Sequence, residues 1–234
     1  MTTPVVLLHG LLLGPEMWDP LVESLAPRLV ATPRLVADTF DGLLDSALRA
    51  LDAVAPDAPA VLGGLSMGGI IAMHLAARRP ERVRALMVFD AQPGAEDPAA
   101  QRAWDDLERR ARLVGSRSVA DAFAGVVCSP SVDRALRDAW VDRLRAAPDE
   151  HTRANIRALR ERPDAWPLLE SIRIPTLLVY GADDVLTPPD IARRMAERMP
   201  DARVRIIPGA GHLAPIERPE ATSAAVEAFL AEFA

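Results

Sequence analysis

Six short runs in this chain are apolar nearly from end to end: PVVLLHG (4–10), RLVADTF (34–40), AVLGG (60–64), VRALMVFDA (83–91), TLLVYG (176–181) and RVRIIPG (203–209). A sheet with one wet face alternates apolar and polar residues, so runs of this kind belong to strands covered on both faces. Helical patterns lie between them, at about 19–30, 43–55, 67–79, 189–199 and 219–233. Strand followed by helix, repeated, predicts an α/β fold built on a doubly wound, mainly parallel sheet. With 234 residues, half of them apolar, one domain is enough to bury such a core.

Residues 95–171 break the rhythm. They hold no strand-like run and instead space their apolar residues as amphipathic helices do: Trp104, Leu107, Ala111 and Val114, then Val119, Phe123, Val126 and Val127. The expected organisation is a core of residues 1–94 and 172–234 interrupted by a helical cap insertion, 95–171. The insertion is either a layer packed on the sheet edge or a lid over the strand ends, where open α/β sheets hold their ligands. As a lid it makes Trp104, Trp140 and Trp166 candidate walls of a substrate pocket.

Charge and cysteine content remove several classes. The formal net charge is -6 and all 27 basic residues are Arg, so nothing favours nucleic acid as a partner. Cys128 stands alone, which leaves no disulfide framework and no cysteine pair for a metal, and suits a reducing, cytoplasmic compartment. PVVLLHGLLLG lacks a preceding basic residue and is interrupted by His9 and glycine, unlike a signal peptide. No apolar run reaches the roughly 18 residues of a membrane span, so no membrane partner is expected.

The chemistry concentrates at Gly64-Leu65-Ser66-Met67-Gly68, a G-x-S-x-G sequence where a strand pattern ends and a helix pattern begins. In that context the serine sits on a sharp turn above the sheet, beside helix-terminal N–H groups that favour an oxyanion. A phosphate-binding loop or a plain tight turn is the competing reading, but residues 62–71 offer neither the P-loop lysine nor the G-x-G-x-x-G spacing that a phosphate loop would want.

A serine hydroxyl needs a base, and the base an orienting acid. His74 lies eight residues into the following helix, about 12 Å along its axis. His151 falls in the insertion, and His9, before Gly10, suits a loop-shaping role. His212, in the Gly-rich loop PGAGHLAPIERPE after the last strand, is the candidate base. Asp90, Asp183 and Asp184 all follow strands and all satisfy the order Ser, Asp, His, so order alone leaves the acid open. Backbone amides of Leu11 and Met67 are the candidate oxyanion donors.

With VVLLHG, GLSMGGIIAMHLAARRPERVRALMV, IPTLLVYGADDVLTPP and IPGAGHLAPIERPE, the chain resembles the α/β-hydrolase superfamily, and within it small lidded esterases and lactonases. The resemblance implies Ser66 as nucleophile, His212 as base, and Asp184, three residues after Gly181, as acid. It implies Leu11 and Met67 as the oxyanion hole and a cofactor-independent, metal-free reaction on a small ester or lactone. Acyl transfer, perhydrolysis or ligand binding on the same fold are the rival functions. Relatives commonly carry two strands before the one ending in HG; here that strand comes first, so about six strands are expected without the N-terminal hairpin.

Overall fold

The strand-like runs pair into one six-stranded sheet, in the order β2-β1-β3-β4-β5-β6, with every pairing parallel. Its strands are β1 (Val5–Leu8), β2 (Val30–Ala31), β3 (Ala60–Leu65), β4 (Val83–Phe89), β5 (Thr176–Gly181) and β6 (Ala202–Ile207). The structure is a computed structural model that describes residues 2–94 and 98–233. The helices, in chain order, are α1 (Asp19–Ser24), α2 (Phe40–Val54), α3 (Met67–Arg78), α4 (Pro98–Leu113), α5 (Ser116–Phe123), α6 (Arg134–Arg145), α7 (Asp149–Arg160), α8 (Asp190–Ala196), α9 (Ala214–Glu217) and α10 (Pro219–Leu230).

Period-two geometry explains why β1, β3 and β5 are buried along their whole length, and the expectation of two covered faces fails at β6, an edge strand whose Arg203 and Arg205 are exposed. Val6, Leu8, Leu62, Val88 and Leu178 join a core with α2, α3 and α8, while Val5, Leu7, Val61, Met87 and Val179 join a second core with α1, α9 and α10. Helices α4–α7 all lie between β4 and β5, within the stretch expected to be an insertion. The boundary drawn at residue 95 lies outside the described residues.

Two local expectations are corrected. The second strand is not 34–40 but the two-residue pairing of Val30 and Ala31 with Val5 and Val6. Residues after Pro33 are committed elsewhere: the Leu35 amide donates to His9, and the Thr39 hydroxyl caps α2 by accepting the Gly42 amide at 3.1 Å, a contact of about 1 kcal/mol. The first helix stops at Ser24 and does not reach residue 30.

The order of the strands decides where a site can form. The chain leaves β1 for β2 on one side and later adds β3 on the other, so the topology switches between β1 and β3. Open α/β sheets bind ligands in the crevice outside the strand ends at such a point. Gly10–Leu13 follow β1 and Ser66 follows β3.

Candidate active site

Ser66 occupies a backbone conformation that few non-glycine residues adopt, with φ 51° and ψ -112°. Strain of this kind costs about 1–3 kcal/mol and persists only when its surroundings hold it. Glycines make the holding possible: a Cβ on Gly64 would lie 2.2 Å from the Gly68 carbonyl carbon, and one on Gly68 would lie 2.1 Å from the Leu8 carbonyl oxygen. The strand and helix therefore close on each other backbone to backbone. The Ser66 amide donates to the Phe89 carbonyl at 2.9 Å, which fixes the turn to β4. Met67 is the first residue of α3, where an amide has no intrahelical acceptor.

The candidate acid and base, Asp184 after β5 and His212 after β6, meet each other. Nδ1 of His212 donates to Oδ2 of Asp184 at 2.8 Å, and both residues are buried. Oδ1 of Asp184 accepts the amides of Leu186 at 2.8 Å and Thr187 at 3.0 Å, and Oδ2 also accepts the Thr187 hydroxyl at 2.5 Å. Burial pushes this carboxyl up, but the hydrogen bond and charge of His212, with the hydroxyl and amide of Thr187, outweigh it and hold the group below its ordinary value. Asp184 thus stays a carboxylate.

The two remaining acid candidates have other partners. Asp183 is exposed and accepts the Ser129 hydroxyl at 2.6 Å. Asp90 is fully buried at the end of β4, accepts the Gly181 amide on Oδ1 at 2.8 Å, and has no hydrogen-bond partner for Oδ2 among the described residues. Burial, then the charge of Asp184, raises its carboxyl well above the ordinary aspartate value of 3.8.

That position predicts a pH-dependent gain for Asp90→Asn. Above pH 3.8 the unfolded chain releases the Asp90 proton while the folded chain keeps it, so native stability falls as pH rises toward the folded value. Asparagine has no proton to hold, and at φ 42° it is tolerated at least as well as aspartate. The variant should therefore match the native melting temperature near pH 4 and exceed it at pH 7, by about 2–4 °C per kcal/mol gained in a chain of this length. A variant less stable than native at pH 7 contradicts this reading of Asp90.

Ser66, Met67, Gly10, Leu11, Thr187 and His212 line one cavity of about 220 Å³. Much of the rest of its wall is apolar and comes from the helices between β4 and β5, through Trp104, Phe123, Leu144 and Leu159. Of the three tryptophans singled out in the sequence, Trp104 lines the cavity. Trp140 and Trp166 are not among its lining residues: Trp140 is buried on α6 beneath the Arg143 guanidinium at 4.6 Å, and Trp166 packs under Arg194 and Arg198.

Two of the other three histidines, His74 and His9, serve the fold. His74 packs edge-on against Phe40, with Nε2 3.2 Å from the Pro163 carbonyl, and burial lowers its pKa to about 4. His9 is tied to the loop after β1, as its place before Gly10 predicts.

Residues that the sequence did not single out also hold the site. Thr187 is one, and its three-residue spacing from Asp184 was the available signal, since an aspartate often accepts amides two and three residues on. Glu217 is the other: its buried carboxylate accepts the amides of Ser129, Gly211 and Leu213 at 2.7, 2.9 and 3.0 Å, bracketing His212. The His212 amide donates to the Val127 carbonyl at 3.1 Å, so the loop that carries His212 is stitched to the segment after α5.

A parallel sheet with a strained serine after β3 and a paired Asp and His after β5 and β6 defines a class, and the chain belongs to the alpha/beta hydrolase family, whose profile matches residues 5–225. It is 31% identical to the pimeloyl-[acyl-carrier protein] methyl ester esterase of Aromatoleum aromaticum, over 95% of this chain and 96% of that protein. It is 30% identical to the enzyme of the same name from Nitrosomonas europaea, over 92% of this chain and 91% of that one. Among solved structures, a thermophilic esterase from Thermogutta terrifontis superposes with a TM-score of 0.94 at 29% identity, covering 100% of this chain and 91% of that one. An enol-lactonase from Burkholderia xenovorans shares the fold, with a TM-score of 0.87 at 23% identity over 99% of this chain and 92% of that one.

Proposed function

We propose that this protein is a serine hydrolase that cleaves a small carboxylic ester or lactone through an acyl-enzyme on Ser66. The observation that carries the reading is the Asp184–His212 pair, 2.8 Å apart, with His212 on the wall of the same cavity as the strained Ser66. The esterases to which the chain is similar over nearly its whole length support ester hydrolysis.

In this reading the Ser66 hydroxyl attacks the carbonyl carbon and passes its proton to Nε2 of His212. Asp184 holds the proton on Nδ1 and balances the imidazolium. The Met67 and Leu11 amides bind the carbonyl oxygen as it becomes an oxyanion, an effect of about 10²–10³ in kcat for a single donor. His212 then gives its proton to the departing alkoxide, takes one from water as the water oxygen bonds the acyl carbon, and returns it to the Ser66 oxygen as that ester bond breaks and the acid leaves. Residues 95–171 act as the lid, supplying the apolar wall against which the acyl group lies and keeping bulk water from the acyl-enzyme.

The cavity sets the size of the substrate. At about 220 Å³ it lies below the roughly 300–1,000 Å³ of sites for drug-sized ligands, so a short acyl group fits. Assayed with p-nitrophenyl acetate, butyrate, octanoate and laurate, the protein should turn over the two short esters fastest. Absence of hydrolysis across the whole series sinks the assignment.

A further inference from the structure

One side chain of α7 reaches the segment between β2 and α2, and through it the loop after β1. Asn155, buried on α7, donates from Nδ2 to the Leu35 carbonyl at 3.0 Å and accepts the Ala37 amide on Oδ1 at 3.3 Å. The Leu35 amide donates to Nε2 of His9 at 2.8 Å, and Nδ1 of His9 lies 2.8 Å from the Gly10 carbonyl. These partners set the tautomer: the nitrogen facing an N–H is bare, so the proton sits on Nδ1 and is donated to Gly10. Burial lowers the His9 pKa to about 4, which keeps Nε2 an acceptor at neutral pH.

Peptide geometry carries the effect one step further. The Gly10 carbonyl and the Leu11 N–H belong to one planar trans unit and point in opposite directions. Holding that carbonyl on His9 therefore turns the Leu11 N–H the other way, and Gly10 and Leu11 both line the cavity that contains Ser66. The next residue, Leu12, sits at φ 64°, a conformation that must be held in place.

We propose that Asn155 is a positioning residue for the oxyanion hole, acting through Leu35 and His9 to aim the Leu11 amide. The proposal rests on the hydrolase reading above and on Leu11 as an oxyanion donor. It gives α7 a second role, because a displacement of that helix would loosen a donor that acts in the transition state.

The test uses the full chain, with Asn155→Leu to remove both amide contacts. Asn155→Asp keeps the acceptor for Ala37, loses the donor to Leu35, and serves if the first variant does not fold. Sites are titrated with a fluorophosphonate, kcat and KM are measured on p-nitrophenyl butyrate, and Ki is measured for a trifluoromethyl ketone whose adduct loads the oxyanion hole. Expected per titrated site are a fall in kcat of about 10-fold, less than the 10²–10³ for deleting a donor outright, a KM within twofold, and a Ki raised by the same factor as the fall in kcat/KM. Unchanged kcat and Ki overturn the proposal, as does lost activity that tracks only the loss of titratable sites, since that marks a purely structural contact. A native protein that the fluorophosphonate does not titrate removes the hydrolase reading itself, and that is seen before any variant is made.

Discussion

Replacing Ser66 by Ala lowers kcat/KM for p-nitrophenyl butyrate by about 10⁴-fold or more, the scale on which hydrolases lose rate when the nucleophile of a triad is removed. Among the described residues the hydroxyl hydrogen-bonded to His212 is that of Thr187, which donates to Asp184 at 2.5 Å and sits at Nδ1, away from the nitrogen that takes the proton in the proposed reaction. The fold should not register the change. Alanine and serine bear the same strain at φ 51°, and the contacts that shape the turn are the Ser66 amide to Phe89 and the backbone approach of Gly64 to Gly68, none of which uses the hydroxyl. A melting temperature within a few degrees of native, about 1 kcal/mol, accompanies the loss. Undiminished turnover removes Ser66 from the mechanism.

Asp184→Asn is expected to cost about 10³- to 10⁴-fold in kcat, by a different route. Oδ1 must stay an oxygen, because it accepts two amides, from Leu186 and Thr187. The introduced NH₂ therefore takes the position of Oδ2 and faces Nδ1 of His212. A donor there forces the imidazole proton onto Nε2, the nitrogen that has to receive the Ser66 proton, so the geometry survives while the base is blocked. Substrate binding makes no use of that proton, and KM should move less than threefold. The same substitution at Asp183, which is exposed and bonded to Ser129, should leave kcat within about threefold. Equal losses at both positions contradict the assignment of the acid.

Much of this site could be read from the chain because backbone geometry made it. The turn at Ser66 requires small residues on both sides, so the glycines are visible as letters, and sheet strands buried on both faces are visible as unbroken apolar runs. What escaped is what depends on contacts between distant segments. The two-residue strand Val30–Ala31 is too short to show a pattern, while RLVADTF is apolar for another reason: Leu35 is buried and its amide is spent on His9. The choice between Asp183 and Asp184 turns on which way one loop residue faces, and adjacent residues there look alike in sequence. Amphipathic spacing marked Trp104 and Phe123 as facing inward, but not that the space they face is a cavity rather than packed core. Glu217, five residues after His212, looks like an ordinary helix-terminal acid until its three amide donors are seen together.

The acyl group that Ser66 carries in the proposed reaction can be observed directly. Mixing the native protein with p-nitrophenyl trimethylacetate, whose hindered acyl group leaves the enzyme slowly, and quenching in acid during the burst allows intact mass and peptide mapping to locate it. The expected result is one trimethylacetyl group per chain on the peptide containing Ser66, absent from Ser66→Ala and diminished in Asp184→Asn. Ester turnover with Ser66 unmodified throughout, or an adduct on a different residue, contradicts it.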